Sequence, residues 1–236
     1  MISIIVAAYN EEKRIIPSLF AIRDFCNSKN MECEIIVVDD GSKDNTRRVA
    51  TEKIPQIPQL NVIGYDANMG KGYALRTGVL SSKGDFVLLT DADLSTPIEE
   101  LSKLLHFVHN NTCDIAIGSR ALALSQILKK QPWWRQNMGK LFNKIVKTLV
   151  IDEFDDTQCG FKLFTGDSAR SLFKQARVNR FAYDVEILAL AKKNGYRVHE
   201  VPITWVNSPQ SKVNPLTDSV QMFFDLLKIR GRVGKI

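Results

Sequence analysis

The chain has 236 residues, 44% of them hydrophobic and 25% charged, enough apolar material for a substantial core and not the make-up of a disordered chain. Its 32 basic residues against 26 acidic ones leave a formal net charge of +6, which describes a basic globular protein rather than a polycation and points to phosphates or anionic membrane surfaces as partners. Nucleic acid is not an expected partner, because no helix-turn-helix, RNA-recognition signature or zinc module accompanies the charge.

In chain order, short aliphatic runs at residues 2–8, 34–38, 60–64, 85–90 and 114–118 read as strands, with amphipathic stretches at 15–28, 44–52, 71–81 and 98–110 as helices between them. The helix at 98 is announced by Ser95-Thr96-Pro97, with Glu99 and Glu100 in its first turn. Such a βα rhythm predicts a mostly parallel central sheet, and near-continuous apolarity suits strands covered by helices on both faces. After Arg120 the rhythm stops. Residues 129–150 are basic (Lys129, Lys130, Arg135, Lys140, Lys144, Lys147), contain adjacent Trp133 and Trp134, and place Leu141, Ile145, Val146 and Leu149 at helical spacing. Two readings of this segment stand side by side: an interfacial helix that lies on anionic lipid and holds a lipid-linked acceptor, or an ordinary helical hairpin with a solvated basic face. Beyond it come a segment at 155–164, a helix near 184–194, a strand at 198–206 and an amphipathic helix at 218–230. No repeat, low-complexity tract or linker interrupts the chain, so one α/β domain over residues 1–236 is expected.

The four cysteines (Cys26, Cys33, Cys113, Cys159) form no CxxC pair, and reduced thiols in a cytosolic setting are the expectation. Cys159 reads as a packing residue. His106, His109 and His199 are scattered and make no zinc ligand set. The N-terminal apolar run has no basic residues before it and acids immediately after, so a signal peptide is not expected. No apolar stretch reaches the roughly 18 residues of a membrane span, so membrane contact would be peripheral.

The polar clusters gather at strand ends. The first strand runs into Tyr9-Asn10-Glu11-Glu12, the second into Asp39-Asp40-Gly41-Ser42, the fourth into Asp91-Ala92-Asp93 and the fifth into Gly118-Ser119-Arg120. An open α/β sheet binds its ligands in the crevice beyond that carboxyl edge. In extended chain, Asp91 and Asp93 would face one pocket about 6.5–7 Å apart. Paired carboxylates are hard ligands for Mg²⁺ or Mn²⁺, and such a site is ordinarily completed by water and substrate phosphates. A metal-bound diphosphate is therefore expected. A turn with a helix cap would explain Asp91-Ala92-Asp93 alone, but not four polar clusters at one edge. Asn68-Met69-Gly70-Lys71-Gly72 sets two glycines around a lysine just before a helix, where backbone N–H groups and an ammonium can approach phosphate. It is neither a dinucleotide fingerprint nor a Walker loop, which removes the dehydrogenase reading.

AAYNEE, VVDDGSKDNT, NMGKGYALRTG, TDADLS, IGSR, DTQCGFKLF and RFAYDVEILALAKKNGYRVHEVPITW, in this order, resemble the inverting family-two glycosyltransferases of the GT-A fold. DTQCGFKLF followed by RFAYDVE and Ser211-Lys212 is most similar to the branch acting on polyprenyl phosphates, the dolichyl-phosphate β-glucosyltransferases among them. The resemblance spans almost the whole chain. It implies a Rossmann-like GT-A sheet with a basic helical segment on the acceptor side. It also implies Mg²⁺ or Mn²⁺, and transfer of a hexose, foremost glucose from UDP-glucose, to a dolichyl or other polyprenyl phosphate on the cytosolic face of a membrane. Residues 1–120 would bind the nucleotide sugar and 121–236 the acceptor. On the donor side fall Ala8, Tyr9, Glu11, Asp39, Asp40, Lys71, Asp91 and Ala92. Of these, Glu11, Asp39 and Asp40 match positions that hold base and ribose, and Lys71 matches a lysine near the nucleotide. Asp91 and Asp93 match the metal-linked acids, Arg120 and Arg135 two arginines that face phosphates, and Lys212 a late acceptor-side lysine. The implied catalytic set is Asp93, Arg120, Arg135 and Lys212.

Three departures stand out: AAYNE where family members often read PTYNE, Ser95 where mannose-transferring relatives often carry Gln, and Gly139 where relatives have the serine of R-x-x-x-S. A phosphate acceptor, ionised near neutral pH with a second pKa of about 6, needs positioning rather than deprotonation. A carbohydrate or protein hydroxyl, the alternative acceptor, would need a general base. Asp156 and Asp184 are the candidates for that role, though both read first as structural. A catalytically silent nucleotide-sugar-binding protein is the alternative outside the enzymes. The sequence carries no signal of oligomeric state.

Overall fold

The N-terminal aliphatic run is strand β1 (Ile2–Ala8) in the computed structural model, which describes residues 1–129, 131–208 and 217–236. Helix α1 (Ile15–Ser28) buries Ile15, Leu19, Ile22 and Cys26, the one-stripe spacing of an amphipathic helix. There follow β2 (Cys33–Asp40), the short α2 (Thr46–Thr51), β3 (Leu60–Tyr65), α3 (Lys71–Ser81), β4 (Phe86–Asp91), a 3₁₀ turn at Ile98–Glu100 leading into α4 (Leu101–His109), and β5 (Ile115–Ser119). The second half supplies β6 (Gln126–Lys129), α5 (Trp133–Leu149), β7 (Lys162–Thr165), α6 (Gly166–Gln175), α7 (Tyr183–Lys193), β8 (Val198–Pro202), β9 (Thr204–Val206) and α8 (Thr217–Val233).

Seven strands form one sheet in the order β3-β2-β1-β4-β7-β5-β8, with β6 and β9 paired separately. All pairings in the large sheet are parallel except those of β7, which runs antiparallel between β4 and β5. Successive residues of β1 feed opposite cores. Ile4 and Val6 pack with Leu19 and Ile22 of α1 and Leu101 and Leu104 of α4. Ile5 packs with Leu75 and Val79 of α3 and Leu172 of α6. Burial on both faces is what makes these strands read as unbroken apolar runs.

The sequence expectation and the structure part company in the second half. The single strand expected over 198–206 is two: β8 stays beside β5, while β9 turns away to pair with β6. Pro202, at the break, has no N–H to continue a ladder. From Trp133 to Leu149 the basic segment is one helix, α5, not a hairpin, and Lys129 ends β6. Strands β6 and β7 and helix α6 have no counterpart in the sequence reading. Among the described residues no helix is long and apolar enough to cross a membrane.

Register decides what meets at the carboxyl edge. Ala8 lies opposite Asp39, Ala7 opposite Asp91, and Ser119 opposite Pro202. Because β7 runs the other way, with Leu89 opposite Lys162, its beginning lies at that same edge. The 156–160 turn is thereby delivered to the ends of β4 and β5.

Candidate active site

A cleft of ≈ 480 Å³ opens at this edge, and Ala8, Tyr9, Glu11, Asp40, Lys71, Asp91, Ala92, Asp93, Arg120 and Arg135 all line it. Among the described residues expected at the site, Asp39 is not on its wall. Asp39 is buried behind it, with Oδ1 lacking a hydrogen-bond partner among the described residues and Oδ2 accepting from the Ser42 N–H at 3.4 Å. Lys212, like Ser211 and Lys130, lies outside the described residues.

Asp40 builds the turn that carries Lys71. Its carboxylate accepts from Tyr65 Oη at 2.7 Å, Asn68 Nδ2 at 2.8 Å, the Met69 N–H at 2.9 Å and the Gly70 N–H at 3.0 Å. Burial pushes the Asp40 carboxyl up from its usual range against the pull of those bonds. Gly70 has φ 102, and a Cβ there would stand 2.5 Å from the Asn179 carbonyl oxygen, so only glycine fits. Helix α3 starts from it and aims Lys71 Nζ at Asp91 Oδ1, 2.5 Å away. Desolvation disfavours both charges, but each outweighs it for the other. Lys71 is held above its usual range, with Asp184 adding to the pull of Asp91. Asp91 is held below its usual range, mainly by Lys71.

Arg14, at the N-cap of α1, reaches the same floor. It grips Glu11 through Nε at 2.6 Å and Nη2 at 2.5 Å, and through Nη1 meets Asp93 Oδ2 at 2.9 Å and Ser208 Oγ at 2.5 Å. Asp93 Oδ1 accepts the Ser95 N–H at 3.0 Å, so the acid also closes the turn that leaves β4. Each member of the acid pair thus sits against a cation from this chain.

On the far wall, Arg120 donates to Asp156 from Nε at 2.6 Å, from Nη2 at 2.8 Å and from its backbone N–H at 3.0 Å. Its guanidinium carbon lies 5.5 Å from the centre of the Trp205 ring. Burial works against the Asp156 charge, but Arg120 outweighs it and holds the carboxyl below the usual carboxylate range. Arg135, from α5, lies 5.2 Å from the Trp134 ring centre. Asp184 is beneath the floor, buried against Lys162 Nζ at 2.5 Å, and burial raises its carboxyl despite that partner. Both candidates for a general base are therefore engaged in ion pairs.

With that geometry in place, the sequence profile described as glycosyl transferase family 2 matches residues 3–173. The chain belongs to glycosyl transferase family 2. This family 2 glycosyltransferase is 37% identical over 242 residues to a dolichyl-phosphate beta-glucosyltransferase of Dictyostelium discoideum, an alignment covering 98% of this chain and 74% of that protein. It is 35% identical over 243 residues to the Homo sapiens dolichyl-phosphate beta-glucosyltransferase, covering 98% and 75%. Among solved structures, glucosyl-3-phosphoglycerate synthase from Mycobacterium tuberculosis, in complex with Mn²⁺, uridine diphosphate and glucosyl-3-phosphoglycerate, matches with a TM-score of 0.72 at 16% identity, covering 100% of this chain and 81% of that one. Mannosyl-3-phosphoglycerate synthase from Rubrobacter xylanophilus matches at 0.72 with 18% identity, over 98% and 73%. At such identities the likeness is one of fold, and it makes the family 2 glycosyltransferase GT-A-like, as its motifs imply.

The family 2 glycosyltransferase also places in its cleft residues that sequence reasoning missed. Arg14 left a signal, three residues after Glu11 at a helix start, the spacing at which opposite charges meet. Gly160 left none: a Cβ on it would stand 2.6 Å from Asp91 Oδ2, a neighbour from a distant strand. Arg180, which lines the cleft beside Gly70, sits inside the RFAYDVE motif, where nothing local marks it apart from its neighbours. Among the described residues no three acidic, cysteine or histidine side chains converge as a ready-made metal cage. Asp91 and Asp93 offer two carboxylates, which is what a diphosphate-bound Mg²⁺ asks of a protein.

Proposed function

We propose that this glycosyltransferase moves a hexose, foremost glucose from UDP-glucose, to a dolichyl or other polyprenyl phosphate with inversion at the anomeric carbon. It would work peripherally on the cytosolic face of a membrane, with residues 1–236 as one unit whose first half takes the donor and second half the acceptor. The observation that carries the reading is that the cleft brings Arg120 and Arg135 to its wall while the two carboxylates that might have served as a base, Asp156 and Asp184, are held by Arg120 and Lys162. That arrangement suits an acceptor that arrives already ionised. The names of the curated relatives support the acceptor, and the Mn²⁺ and uridine-diphosphate-glucose bound to the mycobacterial neighbour support the donor.

Asp91 and Asp93, hard oxygen donors on the cleft floor with side chains 39% and 17% exposed, fit a divalent ion. Bound there, Mg²⁺ or Mn²⁺ would supply Lewis-acid neutralisation of the charge that builds on the departing diphosphate. Lys71 adds a fixed positive charge at the same place. Glu11 and the turn held by Asp40 form the nucleotide side, with Asp39 buried behind them. Arg120 and Arg135, with Lys212 from the undescribed stretch, attract the acceptor phosphate and line up its oxygen, with no proton to remove.

Peripheral contact is supported by α5 and α8, which pack together. Trp133, Leu141, Val220 and Phe224 are 75%, 60%, 60% and 56% exposed, and exposed Lys140 and Lys144 flank them. Exposed aromatic and aliphatic side chains beside lysines suit an anionic lipid interface.

The deciding experiment supplies UDP-glucose labelled in the sugar, Mn²⁺ and a short polyprenyl phosphate, and then extracts the lipid. Label in a lipid-linked β-glucosyl phosphate is the expected product. Donor turnover that ignores the lipid phosphate, or label passed to a sugar or peptide hydroxyl instead, would count against the reading.

A further inference from the structure

Neither the family match nor the proposed transfer gives Arg14 a role, yet its side chain is only 19% exposed and its guanidinium is bonded to two acids of the cleft. We infer that Arg14 is a positioning residue that holds the cation place at Asp93 until nucleotide arrives, so that divalent ion and nucleotide diphosphate bind together rather than singly. The inference rests on the metal-dependent reading above.

The argument is one of charge and geometry. Asp91 Oδ1 is covered by Lys71 Nζ at 2.5 Å and Asp93 Oδ2 by Arg14 Nη1 at 2.9 Å. The second carboxylate oxygen of Asp93 already accepts the Ser95 N–H. Counting Glu11, Asp91 and Asp93 against Arg14 and Lys71, the floor carries a net charge of about −1, weak attraction for a dication that gives up its water reluctantly. Arg14 would also have to release Asp93 Oδ2 before that oxygen could serve a free Mg²⁺ or Mn²⁺. A nucleoside diphosphate changes both terms, because its phosphates bring ligand oxygens for the ion and negative charge for the displaced cation. Arg14 is built for such an exchange. Its Nε and Nη2 stay anchored on Glu11 at 2.6 and 2.5 Å, so only the Nη1 corner need release Asp93. Coupling of this kind is reciprocal: whatever factor nucleotide adds to metal affinity, metal adds to nucleotide affinity.

The test is equilibrium binding, without turnover. Free Mn²⁺ is titrated by electron paramagnetic resonance against the whole protein, with and without UDP, and UDP is titrated by calorimetry with and without Mn²⁺. Wild type is expected to bind Mn²⁺ far more tightly with UDP than alone. In Arg14→Gln, Mn²⁺ affinity without nucleotide should rise roughly tenfold, and the mutual enhancement of Mn²⁺ and UDP should shrink by the same factor. Arg14→Lys, which retains a cation, should lie between. If Arg14→Gln does not fold because Glu11 is left unpaired, Glu11→Gln/Arg14→Gln removes one charge of each sign and should still bind Mn²⁺ alone more tightly than wild type. If wild type with UDP takes up Mn²⁺ but neither variant tightens Mn²⁺ binding alone, the role given to Arg14 is wrong while the metal-dependent reading survives. If wild type with UDP takes up no Mn²⁺, both fall together.

Discussion

A Cβ on Gly160 would lie 2.6 Å from one oxygen of Asp91 and 3.0 Å from the other, so the absence of one carbon sets where Asp91 can stand. The clash is with the end of a side chain, which can move, so Gly160→Ala should fold with a melting temperature within a few degrees of wild type. Displacing Asp91 by about 1 Å should nonetheless lower kcat/KM for lipid-linked product about a hundredfold. An unchanged rate would show that Asp91 does not need its present position. Asp156 yields a pH expectation. Its carboxyl is held below the ordinary value, so the stabilisation of the Arg120 pair is complete above the unfolded value of about 3.9 and is lost only as pH falls through the lower folded value. Between pH 5 and 9 the pair is constant. An acid limb of kcat/KM in that window would then not come from Asp156. If it comes from the acceptor phosphate, with a midpoint of about 6, it should shift when an acceptor phosphonate replaces the phosphate, and a limb that stays in place would point to a protein carboxyl such as Asp40 or Asp184, both raised by burial. The acids that line the cleft are legible because Asp40 and Asp91-Ala92-Asp93 fall in local patterns at strand ends, but the same pattern also points to Asp39, which is buried behind the wall. Arg14 meets Asp93 across a separation of 79 residues, and Gly160 meets Asp91 only through an antiparallel strand. No local spacing reports either contact.

Strand β7 is the element that departs most from what the sequence suggests, and Lys162 is the reason. A strand of four residues that opens with a lysine reads as a loop, yet this lysine has 0% exposure, pairs with Asp184 of α7 and also donates to the Cys159 carbonyl. It fastens the antiparallel strand to a helix and holds the turn that carries Gly160. Removing one partner leaves an uncompensated buried charge, so Lys162→Met or Asp184→Asn alone should destabilise the fold by about 3–5 kcal/mol. Replacing both with apolar residues, Lys162→Met/Asp184→Leu, should recover most of that loss. Urea unfolding measures all three, and single variants as stable as wild type would mean the pair contributes nothing. The elements read correctly were those with one uniform pattern: β1, β2 and β4 with unbroken apolar burial, α1 with its stripe. Those missed or misdrawn had their pattern broken by a tertiary requirement, a buried charge in β7 or the change of sheet at Pro202.

Across the whole molecule, two helices that expose large apolar side chains, α5 and α8, both reach the cleft. Arg135 of α5 and Asp218 of α8 line it, while Trp133, Trp134 and Leu141 on α5 and Phe223, Phe224 and Leu227 on α8 are exposed. On the proposed reading this is the side that meets lipid, and the net charge of +6 would favour an anionic surface. Each lysine near such a surface contributes about 1 kcal/mol, so Lys140→Ala/Lys144→Ala should weaken partitioning onto phosphatidylserine vesicles about thirtyfold. On neutral vesicles the same variant should bind like wild type, and raising the salt concentration should erase the difference, since the Debye length shortens to about 3 Å at 1 M. Trp133→Ser should weaken binding to both kinds of vesicle, because its term is apolar. Transfer to a short, water-soluble isoprenyl phosphate should be unchanged in all of these variants, since none of the three residues lines the cleft. Transfer to a long-chain acceptor embedded in vesicles should fall in step with binding. Co-sedimentation and the two transfer assays together separate a lipid-facing role from a structural one: a variant that loses both transfers has damaged the cleft, and one that loses neither leaves this face without contact to the membrane.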